Sequence, residues 1–303
     1  MKAMTIKNIY KAVFLLSGVS VLVLGCQKGH PIYEGPEYLM FPDTLYTLPV
    51  MEGSEDFDIP VVSMHAASAD RTFAVEVVEK KSSAIEGLHY EILDNTVTIP
   101  AGERVANVRI HSDYDALDPE NVPSFHLALI CDNSLKSDIG AVETKIELQK
   151  CKAFDAKDFT GYCLIERSTW FDEYMAATSR MLLRTEADPA VGNVIILRNF
   201  IYQGHDIRLE FGTEDPLSPS VTCEEQVFAN TGEAFGTLYG DGNILMKSPV
   251  TYPSYYNSFE KFVLLYSTMR VDGVGTVGTF GHILRWISDD EAAALMKEGI
   301  KLN

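Results

Sequence analysis

The sequence predicts a mainly β protein: an N-terminal antiparallel β-sandwich, then a second β-rich domain built as a curved sheet or small barrel, ending in a short C-terminal helix. Three observations carry this. Short runs that alternate apolar with polar or small residues recur from Leu39 to Trp286, separated by clusters of Gly, Pro, Asn and Asp. Tight-turn signals such as Asp241-Gly242 and Asp272-Gly273 join several of them. Only after Ser288 do a capping residue, an acidic first turn and the stop Gly299 frame a terminal helix.

The chain opens on a different pattern. Lys2, Lys7 and Lys11 precede an apolar run from Ala12 to Leu24, and Cys26 follows at once. That basic-then-apolar order is the export signal, and about 13 apolar residues fall short of the roughly 20 that span a bilayer. Val23-Leu24-Gly25-Cys26 resembles the bacterial lipobox, which implies removal of residues 1–25 and lipidation of Cys26. Several acyl chains on one cysteine hold a soluble body at a membrane, each buried CH₂ contributing about 0.8 kcal/mol. Residues 26–36, rich in Gly and Pro, then read as a tether. The expected location is the bacterial envelope, as an outer-membrane lipoprotein, with the periplasmic and surface faces both left open.

About 278 residues remain after the leader, enough for one large domain or two ordinary ones. At 46 % hydrophobic and 22 % charged they form a folded body. A formal net charge of −18 argues against nucleic acid as a partner, since phosphates need a basic surface, and none is expected. Beyond Cys26 stand Cys131, Cys151, Cys163 and Cys223, too widely spaced for a zinc site. Paired and buried-thiol readings are both open for them.

The sandwich is placed at 37–150. Its strands are expected at 39–41, 57–62, 73–78, 96–99, 105–110, 125–130 and 144–148, with Phe73, Val75 and Val77 facing one way. Within it, Ala84-Ile85-Glu86-Gly87-Leu88-His89-Tyr90 and Ile99-Pro100-Ala101-Gly102-Glu103 resemble the second half of a Calx-beta-type domain and the DUF4843-like modules of Bacteroidetes lipoproteins. Pro100 and Gly102 suit a tight turn, Tyr90 leans on the core, and His89 packs at core or rim. Calcium-binding members of the Calx-beta type carry carboxylates at one end, which singles out Asp113, Asp115, Asp118 and Glu120. Calcium takes six to eight oxygens, and these four lack the consecutive Asp pair of the calcium-binding members. A solvated loop is the simpler reading, and no metal or cofactor is expected.

The second domain is placed at 155–303. Strands are expected at 161–165, 194–197, 207–211, 220–223, 236–239, 243–246, 262–269 and 282–286, with a helix over 169–183 capped by Thr169. A terminal helix over 289–298 should pack through Ala293, Leu295 and Met296, with Ser288-Asp289-Asp290-Glu291 as capping box. Asn199, Phe200 and Gly204 with the strand spacing resemble the DUF4984-like modules of Bacteroidetes lipoproteins. That resemblance implies carbohydrate capture beside outer-membrane importer components.

The densest aromatic run is Tyr252-Pro253-Ser254-Tyr255-Tyr256-Asn257-Ser258-Phe259, followed by Phe262 and Tyr266. Tyr252, Tyr255 and Tyr256 beside Asn257, with Trp170 as a smaller centre, are the candidate ligand-binding residues, since rings stack on sugar faces while polar tips take hydroxyls. The competing reading has these rings closing a core. Seven scattered histidines form no metal pattern, and no nucleophile elbow or phosphate loop occurs. A non-catalytic accessory that binds glycan or another extracellular polymer is the expectation. A structural or protein-interaction module of an outer-membrane complex is the alternative, and a glycoside hydrolase a remoter one.

Overall fold

The computed structural model describes residues 38–130 and 142–303. The expected leader, the expected lipidation site Cys26, the expected tether and Cys131 lie outside these residues. The protein is mainly β, with two sheets in its first half, a closed barrel in its second and a short C-terminal helix.

The first sheet joins β1 (Leu39–Met40), β3 (Asp56–Ser63), β7 (Val105–Ser112) and β5 (Tyr90–Ile92) in that order. The second orders β2 (Leu45–Val50), β9 (Glu143–Lys150), β8 (Ser124–Ile130), β4 (Arg71–Val77) and β6 (Thr96–Ile99). Each strand alternates buried and open positions, as β8 does with Phe125, Leu127 and Leu129 inside. The two inner faces enclose one core with Val61, Val97, Ile110, Ile146 and Leu148. All pairings are antiparallel except β2 with β9, which are parallel. Strand β2 was not expected, because Pro49 interrupts its pattern; as an edge strand it loses no ladder bond to the missing N–H. Tyr90 is buried and stacks on Phe125 with ring centroids 3.7 Å apart, and burial pushes its phenol up to about 12. Gly87 and Gly102 take positive φ at the turns that the Calx-beta-type resemblance marks. His89 sits at the rim, its Nδ1 accepting from the Ile85 amide.

In the second half, β10 (Gly161–Ser168), β11 (Met181–Ala187), β12 (Val194–Arg198), β13 (Ile207–Phe211), β14 (Ser220–Thr222), β17 (Ser254–Asn257), β18 (Phe262–Val271) and β19 (Gly275–Ile287) form a closed antiparallel ring, because β18 pairs with β19. Strand β18 uses one edge twice. Its first residues pair with β17 and its last with β16 (Asn243–Lys247), which carries β15 (Gln226–Asn230) outside the ring. Eight strands leave an interior that side chains fill. Cys163, Ile165, Leu183, Leu197, Leu209, Val263 and Leu284 line it.

Aromatic groups plug both ends of the barrel. Phe159, just before β10, meets Phe154, Phe211, Tyr256 and Trp286. Trp170, just after β10, meets Tyr174, Tyr202, Phe228, Phe235 and Phe280. Trp170 stands on α1 (Thr169–Tyr174), whose cap is Ser168 rather than Thr169. The expected helix over 169–183 is thus one short helix followed by strand β11. Residues 236–239, expected as a strand, instead follow α2 (Thr231–Phe235), which Gly236 ends at φ 71°. The terminal helix α3 (Asp289–Lys297) packs on Leu164 and Leu182 through Ala292 and Leu295, while Ala293 and Met296 face out. Ser288 accepts from the Glu291 amide, but the Glu291 carboxylate turns to Arg285 instead of closing a capping box. Among the described residues no helix is long and apolar enough to cross a membrane.

Candidate functional site

Strand alternation places every second side chain of β17, β18 and β19 on the outer wall of the barrel. The ladder sets Tyr255 opposite Leu264, Leu264 opposite Ile283 and Ile283 opposite Arg167, so one row crosses four strands. In the next row Tyr266 lies opposite Gly281. A Cβ added to Gly281 would stand 3.3 Å from the Tyr266 ring, so glycine lets this tyrosine lie close against the sheet.

Arg167 faces outward because of a bulge. The β10–β19 register shifts between Ile165 and Arg167, which inserts Glu166 and brings two successive side chains to the outside. The loop before β17 supplies the second ring. The Ser254 hydroxyl accepts from the Tyr266 amide at 2.8 Å, which holds the loop to β18 where the ladder lapses. Tyr252 thereby meets Tyr266 with centroids 5.6 Å apart and planes 37° from parallel.

The result is an open groove of about 380 Å³ lined by Arg167, Thr169, Tyr252, Leu264, Tyr266, Thr279, Gly281 and Ile283. Two rings make its wall, Leu264 and Ile283 its floor, and hydroxyls and a guanidinium its polar points. Among the described residues no carboxylate lines it.

The sequence-predicted residues divide. Tyr252 and Tyr255 are 54 % and 45 % exposed, the first in the groove wall and the second in the row beside it. Tyr256 is buried in the barrel plug, its hydroxyl donating to the Gly212 carbonyl, because strand alternation turns it inward from Tyr255. The Asn257 amide oxygen is spent on the Phe259 and Glu260 amides, closing the turn to β18. Trp170 is a core residue that donates to the Tyr202 hydroxyl, so it offers no ring to a ligand. Arg167, Thr169, Leu264, Tyr266, Thr279, Gly281 and Ile283 were not among the expected ligand-binding residues.

A second cleft, about 690 Å³, runs between the Gln149–Phe154 segment, residues 213–217 and Tyr256–Phe259. Its lysines are engaged: Lys152 with Asp158, and Lys150 with the Leu117 carbonyl and the Tyr114 ring.

In the acidic loop, Asp113 accepts from the Asp115 and Ala116 amides and Asp118 from Glu120 and Asn121, so both carboxylates fasten turns. The Glu120 amide, with Asn121, holds the Asp118 carboxyl below its usual range. Among the described residues no group of three or more His, Cys, Asp or Glu is placed to hold a metal ion. Cys151, Cys163 and Cys223 are buried free thiols.

Solved structures similar to the chain include a protein of unknown function from Bacteroides ovatus, 11 % identical with a TM-score of 0.34, covering 81 % of this chain and 90 % of that one. An auxiliary nutrient binding protein from Bacteroides thetaiotaomicron is 12 % identical with a TM-score of 0.31, covering 80 % and 91 %. The apo form of the Calx CBD1 domain is 19 % identical with a TM-score of 0.32, covering 38 % and 98 %. No curated protein matches the chain. The model of the domain of unknown function DUF4984 matches residues 139–298, which span β9 of the sandwich, the whole barrel and α3, and the chain therefore belongs to that family.

Proposed function

We propose that this protein is a non-catalytic lipoprotein of the bacterial outer membrane, anchored through Cys26, that binds glycan in the groove walled by Tyr252 and Tyr266. The sandwich at 37–150 and the barrel domain at 155–303 are its two parts in this reading. The observation that carries it is the pair of tyrosine rings held 5.6 Å apart over an apolar floor in an open groove. Such rings offer rigid flat area to the apolar face of a sugar, and Thr169 and Thr279 add hydroxyls to the same lining. Both tyrosines are already packed, so little side-chain freedom is lost on binding. Hydrolysis of a glycosidic bond uses a pair of carboxylates about 5 to 10 Å apart, and this groove presents neither.

The test is affinity electrophoresis of the purified protein through gels containing plant and host polysaccharides, with Tyr252→Ala and Tyr266→Ala variants alongside. Retardation by a glycan that both variants lose, with unchanged circular dichroism, supports the reading. Absence of retardation across the panel would end it and turn attention to the alternative, a protein-interaction role among outer-membrane importer components.

A further inference from the structure

We infer that the groove takes an anionic sugar, a uronate or a sulfated residue, with its acid group on Arg167. This rests on the glycan reading above and names the ligand class. The other arginines on the barrel strands are occupied, and the exposed Arg180, in the turn before β11, is not in the groove lining. Arg198 holds Glu186 and Asp206, Arg208 holds Asp188, Arg270 holds Glu225 and Asp272, and Arg285 holds Glu291, while Arg184 covers the Tyr162 ring at 3.5 Å. Arg167 makes no ion pair or hydrogen bond among the described residues, although the chain carries 43 acidic against 25 basic residues. Its neighbour Glu166 is directed to Arg285, at 3.7 Å.

The bulge at Glu166 therefore turns an unmatched guanidinium into a groove that no carboxylate lines. Guanidinium matches carboxylate or sulfate with two parallel N–H donors, a geometry that a lone hydroxyl cannot use. The rings stand on β18 and its adjoining loop, and Arg167 stands across β19 from them, so a sugar stacked on Tyr266 can direct an exocyclic acid toward β10. Thr169 accepts from the Gly281 amide at 3.0 Å and keeps its own O–H to donate to the same ligand.

The experiment compares matched pairs in affinity electrophoresis: polygalacturonate with its methyl ester, alginate with its carboxyl-reduced form, and chondroitin sulfate with its desulfated form. Wild type, Arg167→Gln and Tyr266→Ala are run on each. The expected result is an acidic form bound at least about 10-fold more tightly than its neutral partner, a preference that falls to about one in Arg167→Gln. Uronate and sulfate are told apart by which pair shows the preference. Neutral and acidic forms bound alike, or neutral glycans bound alone, would overturn the acid assignment while leaving glycan binding standing. Acid-dependent retention that persists in Tyr266→Ala, or in Arg167→Gln, would also overturn it, placing the anion elsewhere. No binding to any glycan would remove both readings together.

Discussion

Replacing His282 with glutamine should make the protein less stable at neutral pH yet less sensitive to acid. His282 is 0 % exposed within the barrel, with Nδ1 2.9 Å from the Ser168 hydroxyl, Nε2 3.1 Å from the Ser267 hydroxyl, and Phe200 against its ring. Burial alone drives its pKa from 6.5 down to about 3, and no carboxylate stands by to repay a positive charge. The folded state thus excludes a proton that the unfolded chain accepts below 6.5. Stability from this group is complete above that pH and declines as pH falls toward 3. Each pH unit in that window corresponds to about 1.4 kcal/mol, giving a loss of about 1.4 kcal/mol at pH 5.5 and about 2.7 kcal/mol at pH 4.5. Glutamine cannot satisfy both serines in the same geometry and should cost about 1 to 3 kcal/mol at pH 7.5. Urea unfolding of both proteins from pH 7.5 to 4.5 measures the gap between them, and carboxylates common to both cancel. The gap should narrow by about 2.7 kcal/mol across that range. A constant gap would mean that His282 does not titrate differently in the two states, and the reasoning from burial would fail.

Other expectations concern the plug, the groove and the thiols. Trp170→Ala empties one end of the barrel and should lower stability by about 3 to 5 kcal/mol in denaturant unfolding, while an exposed ligand-binding tryptophan would cost little. Gly281→Ala places a methyl group 3.3 Å from the Tyr266 ring and should weaken glycan retardation by lifting that ring, with a change in thermal midpoint much smaller than that of Trp170→Ala. Burial raises the thiol pKa of Cys151 and Cys223 to about 11 and that of Cys163 further still. Alkylation at pH 8 followed by peptide mass spectrometry should therefore leave all three unmodified until denaturant is added. Fast labelling of any of the three in the native protein would contradict its buried placement.

The sequence made some elements readable and concealed others for specific reasons. Strands β6 and β13 agree with expectation end to end, because Thr96–Ile99 and Ile207–Phe211 alternate cleanly and stop at turn residues. The first three residues of β11 were taken for helix because Met181, Leu182 and Leu183 are all buried: Met181 and Leu183 face the barrel interior, and Leu182 faces α3. A strand covered on both faces has no period-2 signal. Glycines at 275, 278 and 281 hid the first half of β19. In the groove, Tyr252 stood out as part of a local aromatic run, whereas the outward face of Tyr266 was not legible, because Phe262 to Leu265 are all apolar and mask the alternation of β18. Arg167 was unreadable, since a one-residue bulge reverses the parity of everything after it and leaves no mark in composition. Tyr256 and Trp170 were misplaced for a related reason: aromatic residues plug barrel ends as readily as they line binding surfaces.

The double use of the β18 edge has an evolutionary and engineering meaning. Strands β17 and β16 pair with Phe262–Leu264 and Thr268–Val271, so the hydrogen-bonded ring that closes the barrel does not pass through residues 248–253. The segment that carries Tyr252 leaves the edge and returns to it as a detour. Ser248 is tied to the Cys223 backbone, but lengthening, shortening or rewriting the residues after it leaves the strand pairings in place, and such surface detours are where insertions are best tolerated. The groove therefore has a fixed floor and one fixed ring, Tyr266 on β18, while its Tyr252 side is exchangeable, and a library of loops between Ser248 and Ser254 would be the natural place to redirect its choice of ligand.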